Sequence, residues 1–361
     1  ESPALTAELW ARCLHMKGYL EGICKACYEC APTIWKKPVL VATIRMLITF
    51  DRDKMKLAAT ALAQHGVYVG TSSWKYAGWF GQLYERDRYV FRGKFSERRF
   101  EQLCLTEYAQ VFKTVCVDAA YYDFPSEQWL DSMASQVPED FRFALKVTDE
   151  ITVKSFANLP RFGKRAGREN GNFLNAELFE SSFLEPCKPF RQKIGLLMFE
   201  FSKFYSRDFD RGRDFVDALD KFLARLPKAW PYAVEIRNRN FLQDEYLAML
   251  SHNGVTHIYS SWSEMPSLAE QFGTAATRTN PALLGARLLL KPGRKYEDAV
   301  KMFKPYAEIK DEYPEGRSAG AKMIRSALES GGRTNAYVYV NNRFEGNALQ
   351  TIARMLEEAG S

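Results

Sequence analysis

The chain has 361 residues, of which 46% are hydrophobic and 14% aromatic, so it can bury one large α/β core or two ordinary ones. Its formal charge of +6, from 50 basic and 44 acidic residues, permits an anionic ligand but is less than a dedicated nucleic-acid binder carries. No run of about 18 apolar residues and no secretory leader is recognisable, and the seven unevenly placed cysteines are typical of reduced thiols. We therefore predict a cytoplasmic protein without a membrane span.

Residues 1–54 are predicted to be an N-terminal extension that precedes the folded domain of residues 55–361. The segment CKACYEC at 24–30 has the C-x2-C-x2-C spacing that zinc or an iron–sulfur cluster uses, and Cys13 is the only other cysteine nearby. Three ligands do not close a structural tetrahedral site, so we predict no metal site here. We interpret the extension as a loosely packed leader, or as residues upstream of a true start near Met55.

From residue 67 onward, short β-branched and aromatic runs alternate with segments of helical period. Helix caps are predicted at Ser96 and Ser126, and a helix end at Asn253–Gly254. The alternation predicts parallel βαβ units, and eight of them in roughly 290 residues match a (β/α)8 TIM barrel. A doubly wound sheet is the alternative, but the glycine-rich turn of dinucleotide-binding folds is missing. The eight predicted strands are 67–74, 114–121, 142–147, 194–201, 232–238, 255–261, 285–291 and 336–342.

Polar residues at the C-terminal ends of these strands are the candidate site, because TIM barrels bind ligands at that end. The first, second and third strands end with polar or aromatic side chains, and the fourth and fifth end with charged ones. The seventh strand carries an arginine and the eighth ends in two asparagines. In chain order the candidates are Trp74, Asp118, Tyr122, Lys146, Glu200, Glu235, Arg237, Arg287, Asn341 and Asn342.

The charged candidates suggest two chemical roles. Lys146, Arg237 and Arg287 are predicted to converge on an anion, because arginine grips carboxylates and phosphates with two parallel hydrogen bonds. Glu235 is predicted as a general acid or base, with Glu200 or Asp118 as its partner. The alternative is a structural network in which these charges only satisfy one another. Because no histidine pair has metal spacing and no nucleotide motif is present, we predict no metal and no cofactor.

Two loops have a distinctive composition. The segment after the third strand contains LPRFGKRAGRENGN, which reads as a lid over the barrel mouth or as a solvated basic loop. The loop after the first strand carries Trp79, Phe80 and Tyr84, which could stack on a sugar or base or could plug the rim. Together these loops support an alternative function in nucleic-acid binding or phosphodiester cleavage. The basic residues of the lid segment are Arg161, Lys164, Arg165 and Arg168.

The order of several segments resembles the YecE-like TIM-barrel family, domain-of-unknown-function family 72. The matching pieces run from Val67 to the end of the chain and include VGTSSWKYAGWFGQLY, FRFALKVTDEIT, AVEIRNRNF and YVNNRFEGNALQTI. The resemblance implies a TIM barrel but no particular reaction. Where the family pattern has Glu and Asn in the second strand, this chain has Cys116 and Asp118, and the family's histidine after E-x-R is Asn238. The charged residues remain while the histidines are gone, which predicts a divergent member.

We therefore expect a TIM-barrel protein whose C-terminal mouth binds a small anionic substrate that contains phosphate or sugar. An enzyme acting as a hydrolase, lyase or isomerase is the first hypothesis. A nucleic-acid-binding protein and a non-catalytic binding barrel are the alternatives, and the sequence leaves the oligomeric state open.

Overall fold

The structure, a computed structural model, describes residues 50–360. The cysteine segment 24–30 and most of the predicted N-terminal extension therefore lie outside the described residues. Helix α1, Arg52–Gln64, opens the described chain, and the Asp51 side chain caps it by accepting a hydrogen bond from the backbone N–H of Lys54 at 2.9 Å. The boundary between the extension and the barrel stays a prediction.

Eight parallel strands close into a barrel, in which each strand pairs with its neighbours in chain order and β1 pairs with both β8 and β2. Helices lie between successive strands, so the predicted TIM-barrel architecture is confirmed. The strands are β1 Val67–Thr71, β2 Thr114–Val117, β3 Arg142–Lys146, β4 Ile194–Phe201, β5 Tyr232–Ile236, β6 Thr256–Ser260, β7 Leu283–Leu288 and β8 Asn335–Val340.

The helices follow the strands in the expected alternation. A ribbon of Val90–Phe91 and Lys94–Phe95 lies in the loop after β1, and a helical segment of α, π and 3-10 turns at 176–193 precedes β4. The remaining α-helices are α2 Glu97–Tyr108, α3 Glu127–Ala134, α4 Asp149–Thr152, α5 Gly212–Arg225, α6 Asp244–Asn253, α7 Leu268–Gly273, α8 Tyr296–Phe303, α9 Pro314–Glu329 and α10 Ala348–Ala359.

Local sequence signals explain where these helices begin and end. The Ser96 and Ser126 side chains accept hydrogen bonds from the third residues of α2 and α3, as predicted. Gly254 ends α6 at φ 68°, a left-handed conformation that glycine adopts without a steric penalty. The prediction for the second strand is wrong at its C-terminal end: β2 stops at Val117, and a 3-10 turn at Ala119–Tyr121 replaces the predicted extended backbone.

The barrel interior is filled by side chains. Tyr337 and Tyr339 of β8 belong to a buried cluster with small and aliphatic residues from the other strands. Two glycines make room for it: a Cβ on Gly195 would lie 2.4 Å from the Tyr337 hydroxyl oxygen, and one on Gly285 would lie 2.3 Å from Cδ1 of Ile258. The described side chains therefore fill the barrel interior below the mouth.

Candidate functional site

One ring of polar side chains lies directly above the apolar interior. Side chains alternate between the two faces of a strand, so the residue two positions beyond each interior residue also points inward. Starting from interior residues such as Cys116, Ala144 and Met198, this rule reaches a polar residue on every strand. We call this set the polar ring: Ser72, Asp118, Lys146, Glu200, Glu235, Ser260, Arg287 and Asn341.

Arg287 crosses the barrel. It lies on β7, yet its Nη1 is 2.8 Å from Oε2 of Glu200 on β4 and 2.5 Å from Oε2 of Glu235 on β5. Neither of those strands pairs with β7, so the guanidinium reaches them through the barrel interior. Arg287 is only 3% exposed, and the Glu235 and Glu200 carboxylates hold its pKa well above the ordinary value although burial opposes the charge.

Glu200 is the carboxylate on which the three cations converge. Its Oε2 lies 2.8 Å from Nζ of Lys146, and its Oε1 lies 2.8 Å from Nη2 of Arg237. Burial alone would raise the pKa of Glu200, but the Arg237, Lys146 and Arg287 cations hold that pKa well below its ordinary value. Glu200 is therefore ionised, and cations engage both of its oxygens. The predicted binding of a substrate anion by the three cations stays a prediction.

Glu235 is fully buried and is held on both of its oxygens. Oε1 accepts a hydrogen bond from the Ser260 hydroxyl at 3.1 Å and lies 3.5 Å from Nε of Arg237, while Oε2 faces Arg287. The Arg237 guanidinium also lies 3.7 Å from the ring centroid of Trp262, a cation–π contact that fixes its plane. Glu200 and Glu235 therefore have few lone pairs left for a substrate proton.

Asp118 is the most solvent-exposed carboxylate of the polar ring. Its side chain is 37% exposed, and its Oδ1 lies 3.5 Å from Nζ of Lys146 and 3.9 Å from Nη2 of Arg287. That Oδ1 atom is itself buried and makes no hydrogen bond. Three cations thus face three carboxylates, and Asp118 is the carboxylate with the weakest contacts and the best access to solvent.

Hydrogen bonding in the ring is uneven. On β4, β5 and β6 every carboxylate and hydroxyl oxygen of the ring has a partner, whereas Ser72 Oγ, Asp118 Oδ1 and Arg287 Nε are buried without a hydrogen bond. The same holds for Trp74 Nε1 and Asn342 Nδ2, just past the ends of β1 and β8. Asn342 lies one residue out of the inward phase that Asn341 keeps, and Trp74 belongs to the main core cluster. Buried polar groups are almost always paired, so within the ring Ser72, Asp118 and Arg287 have unused bonding capacity.

The remaining predicted residues occupy the rim. Asn341 accepts a hydrogen bond from the Arg343 N–H at 2.9 Å, and the Asn342 oxygen accepts one from the Ala348 N–H at 2.8 Å, so both shape the turn after β8. Tyr122 is 57% exposed and does not continue the inward phase of β2, because the 3-10 turn changes the direction of its side chain. Tyr121 instead lies beside the site, with its ring centroid 4.3 Å from Lys146 Nζ.

Sequence reasoning missed Tyr121 and gave no role to Trp262. Each ring lies against a site cation, Tyr121 against Lys146 and Trp262 against Arg237. Aromatic residues at the ends of β2 and β6 are the signal that could have identified them. The signal becomes specific only when the barrel brings rings and cations together.

The basic loop after β3 is anchored to its own neighbourhood. Arg165 bonds Asp149 at 2.9 Å and Glu150 at 2.6 Å, so one of the four predicted lid cations is neutralised. Phe156 and Phe162 of this loop share a buried cluster with Tyr121. The loop therefore packs beside the site through its aromatic residues.

The aromatic loop after β1 is mostly packed. Trp79 is 0% exposed and Tyr84 is 1% exposed, and their rings join a cluster that includes Phe80 and Phe100. Trp79 and Tyr84 are therefore packed inside the protein and are not available for stacking on a base or sugar. Neither this loop nor the basic one adds support for nucleic-acid binding.

Within residues 50–360 no group of three or more His, Cys, Asp or Glu side chains has the geometry to hold a metal ion. Across the same residues no helix combines the length and the apolar character that crossing a bilayer requires.

Comparison with known proteins agrees with the fold and the motifs. The family profile described as "Protein of unknown function DUF72" matches residues 68–361, and the chain therefore belongs to this family, as the resemblance of its segments predicted. A DUF72 family protein from Enterococcus faecalis V583 has a similar structure, with 17% identity, a TM-score of 0.52, and coverage of 82% of this chain and 96% of that one. This likeness supports the barrel fold alone.

A DUF72 family protein from Thermotoga maritima MSB8 is 21% identical, with a TM-score of 0.49 and coverage of 81% of this chain and 99% of that one. No curated protein matched the chain.

Proposed function

We propose that this barrel is an enzyme that binds a small substrate through one anionic group at the mouth and uses Asp118 as its general acid–base. The observation that carries the proposal is the pair of buried, unbonded atoms Asp118 Oδ1 and Arg287 Nε in the polar ring. Asp118 supplies a proton acceptor and Arg287 supplies a cationic donor, and the two residues approach within 3.9 Å. Proton transfer beside a bound anion requires these two elements.

The charge balance supports this assignment. Without Asp118, the buried cluster holds three cations against the two carboxylates Glu200 and Glu235, which leaves one positive charge in excess. A substrate anion can supply that counter-charge when it displaces the Asp118 carboxylate from Lys146 and Arg287. The freed carboxylate then takes a proton from the carbon next to the anionic group and returns it to the product, so that no net proton is gained or lost.

Glu200 and Glu235 have a different role in this proposal from the acid–base pair expected from the sequence. Their oxygens are occupied by Lys146, Arg237 and Arg287, and Glu200 stays ionised because its pKa is lowered. They act as fixed counter-charges that hold the cations in position. The reaction class that fits is proton transfer next to a bound carboxylate or phosphate, as in lyases and isomerases.

Calorimetry tests the binding step, with acetate, inorganic phosphate and pyruvate titrated into the protein. We expect Asp118→Asn to bind each anion about tenfold tighter than the wild type, because the competing carboxylate is gone. The exposed neighbour Asp123 supplies the matched control Asp123→Asn, which should behave as the wild type.

Exchange in heavy water tests the catalytic step. Hydroxy acids, keto acids and sugar phosphates are incubated with the protein in D2O, and deuterium next to the anionic group is followed by NMR. Exchange that depends on Asp118 supports the enzyme. The proposal fails if no anion binds to either the wild type or Asp118→Asn.

A further inference from the structure

Arg343 is a cation at the barrel mouth that does not belong to the polar ring. It lies in the turn after β8 and is half-buried, and no carboxylate of residues 50–360 forms an ion pair with it. The cations of the ring differ in this respect, since Lys146 and Arg287 each contact Glu200 at 2.8 Å. Arg343 therefore carries a charge that the described carboxylates leave unused.

Aromatic residues surround the Arg343 guanidinium. Its central carbon lies 4.6 Å from the ring centroid of Tyr296, the first residue of α8, which is within range of cation–π attraction. Tyr306, in the loop between α8 and α9, also lies near it: burial raises the pKa of the Tyr306 hydroxyl, and the Arg343 charge opposes that rise. Rings do not neutralise a cation, so the charge of Arg343 is available to an anion.

The loop that carries Tyr306 is fixed by its own hydrogen bonds. Tyr306 has φ 69°, a left-handed backbone conformation that a bulky residue rarely adopts and that costs free energy. The Asn347 side chain donates to the Tyr306 carbonyl oxygen at 3.0 Å, and the Tyr306 N–H donates to the Phe303 carbonyl oxygen at 2.7 Å. A conformation of this kind persists only where its surroundings hold it, so the Tyr306 ring is in position before a ligand arrives.

Tyr76 connects this cation to Asp118. Its ring centroid lies 5.5 Å from that of Tyr306, and it lies in the loop after β1, the strand between β8 and β2. Burial raises the pKa of Tyr76 to about 12, the Arg343 cation opposes that rise, and the Asp118 carboxylate adds to it. Because β8 and β2 flank the same strand, their ends are about 10 Å apart. Arg343 and Asp118 are thus neighbours at one part of the rim, and both are partly exposed to solvent.

Resting on the proposed function, we infer that the substrate carries two anionic groups, of which the first displaces Asp118 from the polar ring and the second binds to Arg343. The ring has no place for both, because Glu200 and Glu235 already occupy its cations and only Asp118 is weakly held. Arg343 has no carboxylate to exchange, and its guanidinium can meet a carboxylate or a phosphate with two parallel hydrogen bonds. The substrate is therefore a dicarboxylate or a phosphorylated acid.

Matched ligand pairs that differ by one anionic group test the inference: glutarate against pentanoate, and phosphoglycolate against glycolate, measured by calorimetry at neutral pH. Succinate and adipate extend the first pair, because the separation of the two groups must match the site. We expect the member with two anionic groups to bind at least about tenfold tighter to the wild type in one or both pairs. Arg343→Gln removes the charge and should reduce that preference by about tenfold, while the affinity for pentanoate and glycolate stays unchanged.

Arg239→Gln is the matched control, because Arg239 is an exposed arginine just after β5 at the same end of the barrel, and it should keep the wild-type preference. Arg343→Lys keeps the charge but loses the paired hydrogen bonds, so it should reduce the preference by about threefold. Should Arg343→Gln fail to fold, the conservative Arg343→Lys decides the test.

Three results would overturn the inference. Equal binding of both members in every pair does so and leaves the proposed function standing, because pentanoate and glycolate probe the ring alone. A preference that survives both substitutions of Arg343 means that the second group binds elsewhere. An equal loss in Arg239→Gln means that the preference follows from overall charge. If no anion binds to the wild type or to Asp118→Asn, the proposed function fails together with the inference.

Discussion

Arg287 projects from β7 between Glu200 and Glu235, and its guanidinium links three strands through the centre of the barrel. A buried charge is tolerated only when opposite charges and hydrogen bonds replace the water it has lost. Arg287 therefore has a structural task that precedes any role toward a substrate. It supplies one cation that two neighbouring buried carboxylates share.

Replacing this arginine tests that task. Arg287→Met leaves Glu200 and Glu235 with one cation fewer, so we expect the free energy of unfolding at pH 7 to fall by about 3–5 kcal/mol in urea titrations. Adding Glu235→Gln to the same protein removes the surplus carboxylate and should restore part of the loss. Arg333→Met, at an exposed position, should change stability by less than about 0.5 kcal/mol. A loss below about 1 kcal/mol for Arg287→Met, or simple additivity with Glu235→Gln, would contradict this account.

At the scale of the elements, close strand contacts depend on glycines. A Cβ on Gly70 of β1 would lie 2.2 Å from the Thr114 carbonyl oxygen of β2. That oxygen is backbone and cannot rotate away, so an added methyl group must move a strand. Gly70 lies two residues before Ser72 in the ring, so such a shift would also disturb the mouth.

Gly70→Ala is therefore expected to cost about 3 kcal/mol of unfolding free energy, measured by thermal or urea unfolding. Gly273→Ala in α7 is the matched control. A Cβ there meets nothing within 4 Å, so this change should be neutral or stabilising by up to about 1 kcal/mol. Equal stability of the two variants would mean that β1 and β2 are not packed as closely as described.

At the scale of the whole molecule, buried titratable groups make stability depend on pH. His257 is 1% exposed, its Nδ1 lies 3.4 Å from the Tyr246 hydroxyl, and burial lowers its pKa from 6.5 to about 4. Between those values the unfolded chain binds a proton that the folded chain does not, so stability is lost as pH falls. Glu200, whose folded-state pKa is also lowered, adds a further loss below its ordinary value of 4.5.

We expect the free energy of unfolding to fall as pH drops from about 6.5 to 4, with His257 contributing on the order of 3 kcal/mol. Urea titrations at pH 7, 6 and 5 measure the slope. The variant His257→Gln removes the titrating group and should give a flatter profile over that range. His252→Gln, at an exposed position in α6, should retain the wild-type slope. An unchanged slope in His257→Gln would rule out this histidine as the cause.

The sequence by itself determined the parts of this protein that depend on local physics. The alternation of strand-like runs with helical segments predicted eight strands close to their observed positions, the TIM barrel and the charged residues at the strand ends. The resemblance of several segments to a known family predicted the family. The error at Tyr122 also has a local cause, since one 3-10 turn after Val117 changes the phase of the side chains that follow.

Only the tertiary structure decided how the charges pair. Glu200, Glu235 and Arg287 are distant in sequence, and their contacts exist because barrel closure brings β7 opposite β4 and β5. The sequence showed which charges lie at the rim, but their partners depend on distances of a few ångströms across a closed ring. The same closure gives every ring oxygen on β4, β5 and β6 a partner and leaves Ser72 Oγ, Asp118 Oδ1 and Arg287 Nε without a hydrogen bond. The sequence could not show this difference, because hydrogen bonding requires atoms from several strands to meet at one point.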